Sequence, residues 1–218
     1  LERRKEVAML EHIPAWLGRT LVGVRAGANK LAIVQPELGG RFDAIDLSSP
    51  AFAQDARLPP RFTADSEGVS PPLVWGPVPD GTTLLALLVE DADAPTPQPL
   101  VHAVVWGLPA DAGRLAEGAI KPDGAGVEDG GDVGRNSYFN EGWLPPDPPT
   151  GHGEHRYAFQ LFALDAEVGD PGRSPGRAAL IEAMSGHVLA AGLLIGTYSR
   201  GEEAPLDADQ TIAAAAST

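Results

Sequence analysis

Cysteine is absent from the 218 residues, which rules out disulfides, thiolate nucleophiles and cysteine-ligated metals and leaves the redox compartment open. Positive charge is also scarce. Sixteen Lys and Arg stand against 30 Asp and Glu, a formal net charge of -14. A field of that sign opposes nucleic acid and anionic membrane surfaces, so nucleic acid is not an expected partner and an anionic ligand must be captured locally. No apolar run approaches the roughly 20 residues of a membrane-spanning helix, and no membrane span is expected. The charged start Leu1-Glu-Arg-Arg-Lys-Glu6 is not followed by an apolar h-region, so a cytoplasmic location is expected. Met9, the first methionine, is the expected native start, with residues 1 to 8 foreign to it. No GxGxxG follows a strand-like run, and no Walker loop or Gly-x-Ser-x-Gly elbow occurs, which disfavours the standard nucleotide sites and serine-hydrolase chemistry.

Hydrophobic residues make up 43% and charged residues 21%, enough for one domain with a sizeable core. With 26 glycines and 21 prolines, that domain is expected to be loop-rich and mainly β. Residues 1 to 40 are read as an N-terminal extension: a helix over 1 to 18, which either packs on its own domain or serves docking or homodimerisation, then short strands at Leu21 to Val24 and Leu31 to Val34. Residues 41 to 201 form the domain, and 202 to 218 an acidic, Ala-rich disordered tail.

Within the domain, Asp43 to Trp75 reads as extended pieces joined by proline turns, with no helix. Thr82 to Val89 is a continuous apolar run that predicts a strand buried on both faces. Leu100 to Trp106 predicts another, with Leu100, His102, Val104 and Trp106 sharing a face. Residues 107 to 135 predict a surface excursion, and Arg177 to Gly186 and His187 to Leu194 two helical segments.

The chemistry concentrates at strand ends. Glu90-Asp-Ala-Asp-Ala-Pro95 leaves one strand, and Gly142-Trp-Leu-Pro-Pro-Asp-Pro-Pro-Thr-Gly-His-Gly-Glu-His-Arg-Tyr157 enters another. The period of two puts His155 and Tyr157 on one face and Arg156 on the other, where Asp93 is its expected ion-pair partner. Asp91, Asp93, His102, His155 and Tyr157 are thereby candidates for one pocket. A carboxylate beside two imidazoles raises their pKa and makes a cationic patch for phosphate or carboxylate groups. His187 reads as a core histidine on an apolar helix. His152 and His155 have a zinc-like spacing, but they lie on a Pro-rich loop rather than a zincin helix, so no metal and no cofactor are expected.

Taken together, Ser70-Pro-Pro-Leu-Val-Trp75, Leu87-Leu-Val-Glu-Asp-Ala-Asp-Ala-Pro95, Val101-His102, Gly134-Arg-Asn-Ser-Tyr138, Pro148 to Tyr157 and Ala183-Met-Ser-Gly-His-Val-Leu189 resemble the phosphatidylethanolamine-binding protein family, in particular its prokaryotic Raf kinase inhibitor-like branch. The resemblance runs from about Ile45 to Arg200. It implies a β-sandwich of two antiparallel sheets with C-terminal helices, here with the N-terminal helical appendage, and a small anion pocket. By motif, that pocket falls on Asp91, Pro95, His102, Pro148, Pro149, His155 and Tyr157, with Trp75, Asp93 and Arg156 structural nearby. Two departures stand out. Ala92 replaces a proline between the aspartates, which is expected to loosen the turn that aims Asp91, and Pro145 stiffens the rim.

The leading expectation is a binding protein, not an enzyme, for a small phosphate- or carboxylate-bearing molecule such as a phospholipid headgroup. The family's members also imply an alternative, an interaction module that inhibits a kinase or peptidase partner. A hydrolase using the Asp/His cluster is a further alternative.

Overall fold

The computed structural model describes residues 23–39, 42–121, 127 and 130–200. The helix expected over residues 1 to 18, the dimer attached to it and the tail from residue 202 lie outside these. Among the described residues the order is β1 (Asp43–Ala44), β2 (Leu47–Ser48), β3 (Ala56–Arg57), β4 (Leu73–Trp75), β5 (Leu84–Asp91), β6 (Leu100–Pro109), β7 (Arg114–Leu115), β8 (Asp132–Val133), β9 (His155–Leu164), α1 (Arg177–Met184) and β10 (Val188–Tyr198).

Seven strands form the larger sheet in the order β1-β10-β9-β5-β6-β8, with β3 also pairing β10, and β2-β4-β7 form a second. The long pairs β5 with β6, β5 with β9 and β9 with β10 are antiparallel. The larger sheet is nevertheless mixed, because β1 and β3 lie parallel to β10, at Ala190–Ala191 and Gly196–Thr197 respectively. The segment that supplies them follows the edge of β10 in the same direction. Gly192 makes this approach feasible: a Cβ there would sit 2.9 Å from the Ile45 carbonyl oxygen.

The alternation along β5 explains its continuous apolar sequence. Leu85, Leu87 and Val89 join Phe159, Leu161 and Ala163 of β9, and Leu47, Leu73, Trp75 and Leu115 of the smaller sheet complete that core. Ala86 and Leu88 point the other way, with Phe162 and Leu164, onto Leu180, Ile181 and Met184 of α1 and onto Ala32 and Leu38. Each fully buried leucine contributes about 1.5–3 kcal/mol relative to exposure.

Several local expectations give way. Leu31 to Val34 is not a strand: Ala28–Lys30, Ala32–Val34 and Pro36–Leu38 are successive 3-10 turns. This segment lies across the face of the sheet, where the N–H groups of Ala32 and Ile33 donate to the Glu90 and Gln160 side chains at 2.8 Å, so no ladder is open to it. Residues 188 to 194 form β10 rather than a second helix, since the free edge of β9 captures the chain after Gly186 turns it at φ 78°. One C-terminal helix therefore forms among the described residues where two were expected. His187 is accordingly not on a helix, and its half-buried Nδ1 lies 3.1 Å from Asp165. Pro60–Phe62 is a 3-10 turn in a stretch expected to hold no helix. The 107 to 135 excursion is not simply superficial, because Leu115, Ile120, Val127 and Val133 enter the core. No helix among the described residues is long and apolar enough to cross a membrane.

Candidate functional site

Three strand ends meet at one point. The antiparallel register pairs Asp91, the last residue of β5, with Tyr157 of β9, which brings the Asp91 carboxylate alongside His155. On the other side of β5, Val89 pairs Ala103 and Glu90 pairs Val101, so β6 carries an extra residue at His102. This bulge overturns the expected common face of Leu100, His102, Val104 and Trp106. Val104 and Trp106 pack toward α1, whereas His102 is re-aimed toward Tyr157 and Trp143, at ring separations of 5.1 and 6.3 Å.

A continuous hydrogen-bond chain links the carboxylate to two imidazoles. Asp91 Oδ2 lies 2.7 Å from His155 Nδ1, His155 Nε2 lies 2.6 Å from His152 Nδ1, and His152 Nε2 donates to the Val24 carbonyl at 3.2 Å. All three side chains are buried. Gly151 and Gly153, at φ 78° and 102°, supply the left-handed turns that fold His152 back against His155. Both ring nitrogens of His155 are thus engaged.

His102 behaves differently. Its Nδ1 donates to the Leu144 carbonyl at 2.7 Å, and its Nε2 is buried without a protein partner among the described residues. Burial lowers its pKa, outweighing the attraction of Asp91 and the Leu144 hydrogen bond, so the ring is neutral and Nε2 presents a lone pair. The expected cationic patch is therefore not present at His102. Tyr157 is fully buried, its hydroxyl has no protein partner among the described residues, and burial followed by the Asp91 charge holds its pKa well above the phenolic range.

These groups border a pocket of about 200 Å³. Asp91, His102 and His155 form its polar wall, and Pro95, Leu144, Pro145, Pro148, Pro149 and Tyr138 contribute most of the rest. Arg200 fixes the proline loop through Asp147 and, at 3.4 Å, the Pro148 carbonyl. Of the residues the sequence singled out, Asp91, Pro95, His102, Pro148, Pro149 and His155 line the pocket, Tyr157 packs behind the two histidines, and Trp75 belongs to the core beneath the smaller sheet. A wider depression of about 450 Å³ near α1 holds Glu167, Asp170, Glu182 and His187 and has none of the buried, unpartnered nitrogen or oxygen atoms. Among the described residues, no three His, Asp or Glu side chains are placed to hold a metal ion.

Ala92 does not loosen the Asp91 turn as expected. Its N–H, which a proline would lack, donates to the Arg156 carbonyl at 3.0 Å, its carbonyl accepts from Gly27 at 2.8 Å, and Asp91 Oδ1 accepts from the Asp93 N–H at 2.8 Å. Behind the turn, Arg156 and Arg25 both reach Asp93, at 2.7 and 2.9 Å. Sequence reasoning weighed His152 only as a metal ligand and passed over Leu144, Tyr138 and Arg25. The three-residue spacing in His-Gly-Glu-His was the available signal for His152, because a glycine between the two allows the chain to reverse.

Comparison with known proteins places this geometry among relatives. The family model described as phosphatidylethanolamine-binding protein matches residues 48–199. A protein of Methanothermobacter thermautotrophicus, named only as UPF0098 protein, is 40% identical over 158 residues, 72% of this chain and 100% of its own length. A Mycobacterium tuberculosis protein, likewise named UPF0098 protein, is 36% identical over 156 residues, 72% of this chain and 71% of its own. Among solved structures, CT736 of Chlamydia trachomatis, a proposed phosphatidylethanolamine-binding protein homologue, aligns with a TM-score of 0.64 at 33% identity, covering 72% of this chain and 99% of that one. YbcL of Escherichia coli, described as a member of the mammalian family, aligns at 0.65 and 28%, covering 71% and 98%.

Proposed function

The chain belongs to the phosphatidylethanolamine-binding protein family, and from that premise and the pocket's geometry we propose that it binds a small phosphate- or carboxylate-bearing molecule, such as a phospholipid headgroup, without transforming it. The observation that carries this reading is the buried, unpartnered Nε2 of His102 on the pocket wall. A buried polar atom left without a partner costs about 1–3 kcal/mol, which a ligand hydrogen bond would recover. A neutral Nε2 accepts a hydrogen from a protonated phosphate or carboxyl oxygen, or takes up a proton as the anion binds. Either route favours binding as pH falls. The proline walls suit the apolar portion of such a molecule, and the small volume excludes all but its headgroup end.

His155, with both nitrogens engaged, has no free position for general-base work, which supports binding over hydrolysis. One observation favours an added role in protein interaction, the inhibitor-like reading. Phe139 is 82% exposed, in the left-handed conformation at φ 62°, next to the pocket residue Tyr138.

Isothermal titration with inorganic phosphate and phosphoethanolamine at pH 6 and pH 8 tests the binding role. Binding stronger at pH 6 and lost in His102→Ala is expected. No binding of either compound at pH 6, or equal affinity in His102→Ala, overturns it.

A further inference from the structure

We infer that His152 and His155 hold one proton between them in addition to those of two neutral rings, and that His152 is the positioning residue that keeps His155 turned onto Asp91, with neither of its ring nitrogens open to a ligand. The hydrogen count follows from the chain of contacts. The Val24 carbonyl can only accept, so His152 Nε2 carries a hydrogen. The contact of His155 Nδ1 with Asp91, at 2.7 Å, needs a second hydrogen, and the 2.6 Å contact between His155 Nε2 and His152 Nδ1 needs a third. Three contacts in series thus hold three hydrogens, where an ionised carboxylate and two neutral rings supply two. With the Asp91 carboxylate ionised and the extra hydrogen on the rings, the unit Asp91–His155–His152 is electrically neutral and loaded with one proton.

The surroundings suit that state. Asp91 faces the pair from β5, His102 from β6 and Tyr157 from β9, with ring centroids of His155 and Tyr157 6.4 Å apart. From the N-terminal segment, Arg25 reaches the Glu154 carbonyl at 2.7 Å and the His152 carbonyl at 3.5 Å, and it pairs at 2.9 Å with Asp93, which Arg156 of β9 also holds at 2.7 Å. Asp147 borders the same pocket and is itself paired with Arg200. Two guanidinium groups share the one Asp93 carboxylate, and it is the Asp91 carboxylate, 2.7 Å from His155 Nδ1, that holds the shared proton in place. His102 is left as the ring with a nitrogen open to a ligand. Val24, which anchors the far end of the chain, lies outside the stretch matched by the family model.

The role given to His155 rests on the proposed pocket, but the proton count is a property of the unliganded chain and is measured separately. Nitrogen-15 NMR of the histidine rings in the full, unliganded chain at pH 7 should find three hydrogens on the four nitrogens of His152 and His155. The two facing nitrogens should share one, at shifts between the protonated and bare values. Two hydrogens on four nitrogens overturn the inference, whatever the phosphate titration gives. In His152→Asn the amide oxygen replaces Nδ1 as acceptor, and the spectrum should keep a hydrogen on both ring nitrogens of His155. In His152→Ala the hydrogen on His155 Nε2 loses that acceptor and its signal should be lost. Retention of both ring hydrogens of His155 in His152→Ala also overturns the inference. If the proton count holds while phosphate fails to bind, the pocket reading falls and this one stands.

Discussion

Arg156 grips Asp93 three times, with its backbone N–H at 2.9 Å and its Nε and Nη2 at 2.7 and 2.9 Å. Arg25 adds a contact at 2.9 Å to Oδ1, the oxygen that Arg156 Nη2 also reaches. The buried carboxylate is thereby held by two guanidinium groups just behind the pocket wall, fixing the turn that aims Asp91.

Acid should loosen this arrangement within a defined window. Burial pushes the Asp93 carboxyl upward, but the hydrogen bonds from Arg156 and Arg25 outweigh it and lower its pKa to about 2. A folded-state pKa below the unfolded value of about 3.9 means a stabilisation that is complete above pH ~4 and lost as pH falls toward 2. Urea midpoints at pH 5, 3.5 and 2.5 should drop more steeply for the unaltered chain than for Asp93→Asn, which should also be less stable at pH 7. Parallel curves through the window would show that Asp93 does not contribute.

Glu90 is fully buried and survives as a charge only through its partners: Arg177 Nε at 2.5 Å, Gln160 Nε2 at 2.8 Å and the Ala32 N–H at 2.8 Å. Arg177 also donates to the Lys30 carbonyl at 2.6 Å. Arg177→Ala is expected to cost about 3 kcal/mol in urea denaturation, because it strands a buried carboxylate. A loss under about 1 kcal/mol would mean that Gln160 and the backbone suffice to hold the charge.

At Gly192 the test concerns space. A Cβ would meet the Ile45 carbonyl oxygen and Leu47 Cβ, both at 2.9 Å, so Gly192→Ala should lower stability by about 1–3 kcal/mol. Gly76→Ala is the control, since its Cβ would have an ordinary contact of 3.6 Å with Asp46. Equal thermal midpoints for the two variants would remove the close approach as a constraint.

Phe139 is expected to be the reverse case. Its left-handed backbone costs about 1–2 kcal/mol in a residue with a side chain, and an exposed ring recovers little of it. Phe139→Gly should raise the thermal midpoint. Asn136→Ala should lower it, because the Asn136 amide oxygen accepts from the Tyr138 and Asn140 N–H groups at 2.9 and 3.3 Å. A lower midpoint in Phe139→Gly would mean that the ring packs in solution.

Periodicity made β9 legible: His155 and Tyr157 face the core and Arg156 faces away, as the alternation requires. The apolar composition of β5 likewise announced a strand covered on both faces. The bulge at His102 left no comparable mark, since one extra residue in a strand changes facing without changing composition. Val188 to Leu194 misled for a different reason. Its apolar spacing is compatible with either period, and the open edge of β9 decided between them. His152 was harder to read as a partner of His155, because the His-Gly-Glu-His spacing brings the two rings together only when Gly151 and Gly153 take left-handed turns.

The segment from Val24 to Leu38 has a consequence for how the chain matures. Its anchors lie far ahead in sequence: Glu90 and Gln160 for the backbone of Ala32 and Ile33, Glu154 for Arg25, and Arg177 for the Lys30 carbonyl. During synthesis it leaves the ribosome before any of them exists, and it can dock only once β5, β9 and α1 have come together. The carbonyl that completes the histidine chain is therefore made before the residues that hold its segment and is placed only after them. Until then the back of the pocket stays open in the nascent protein.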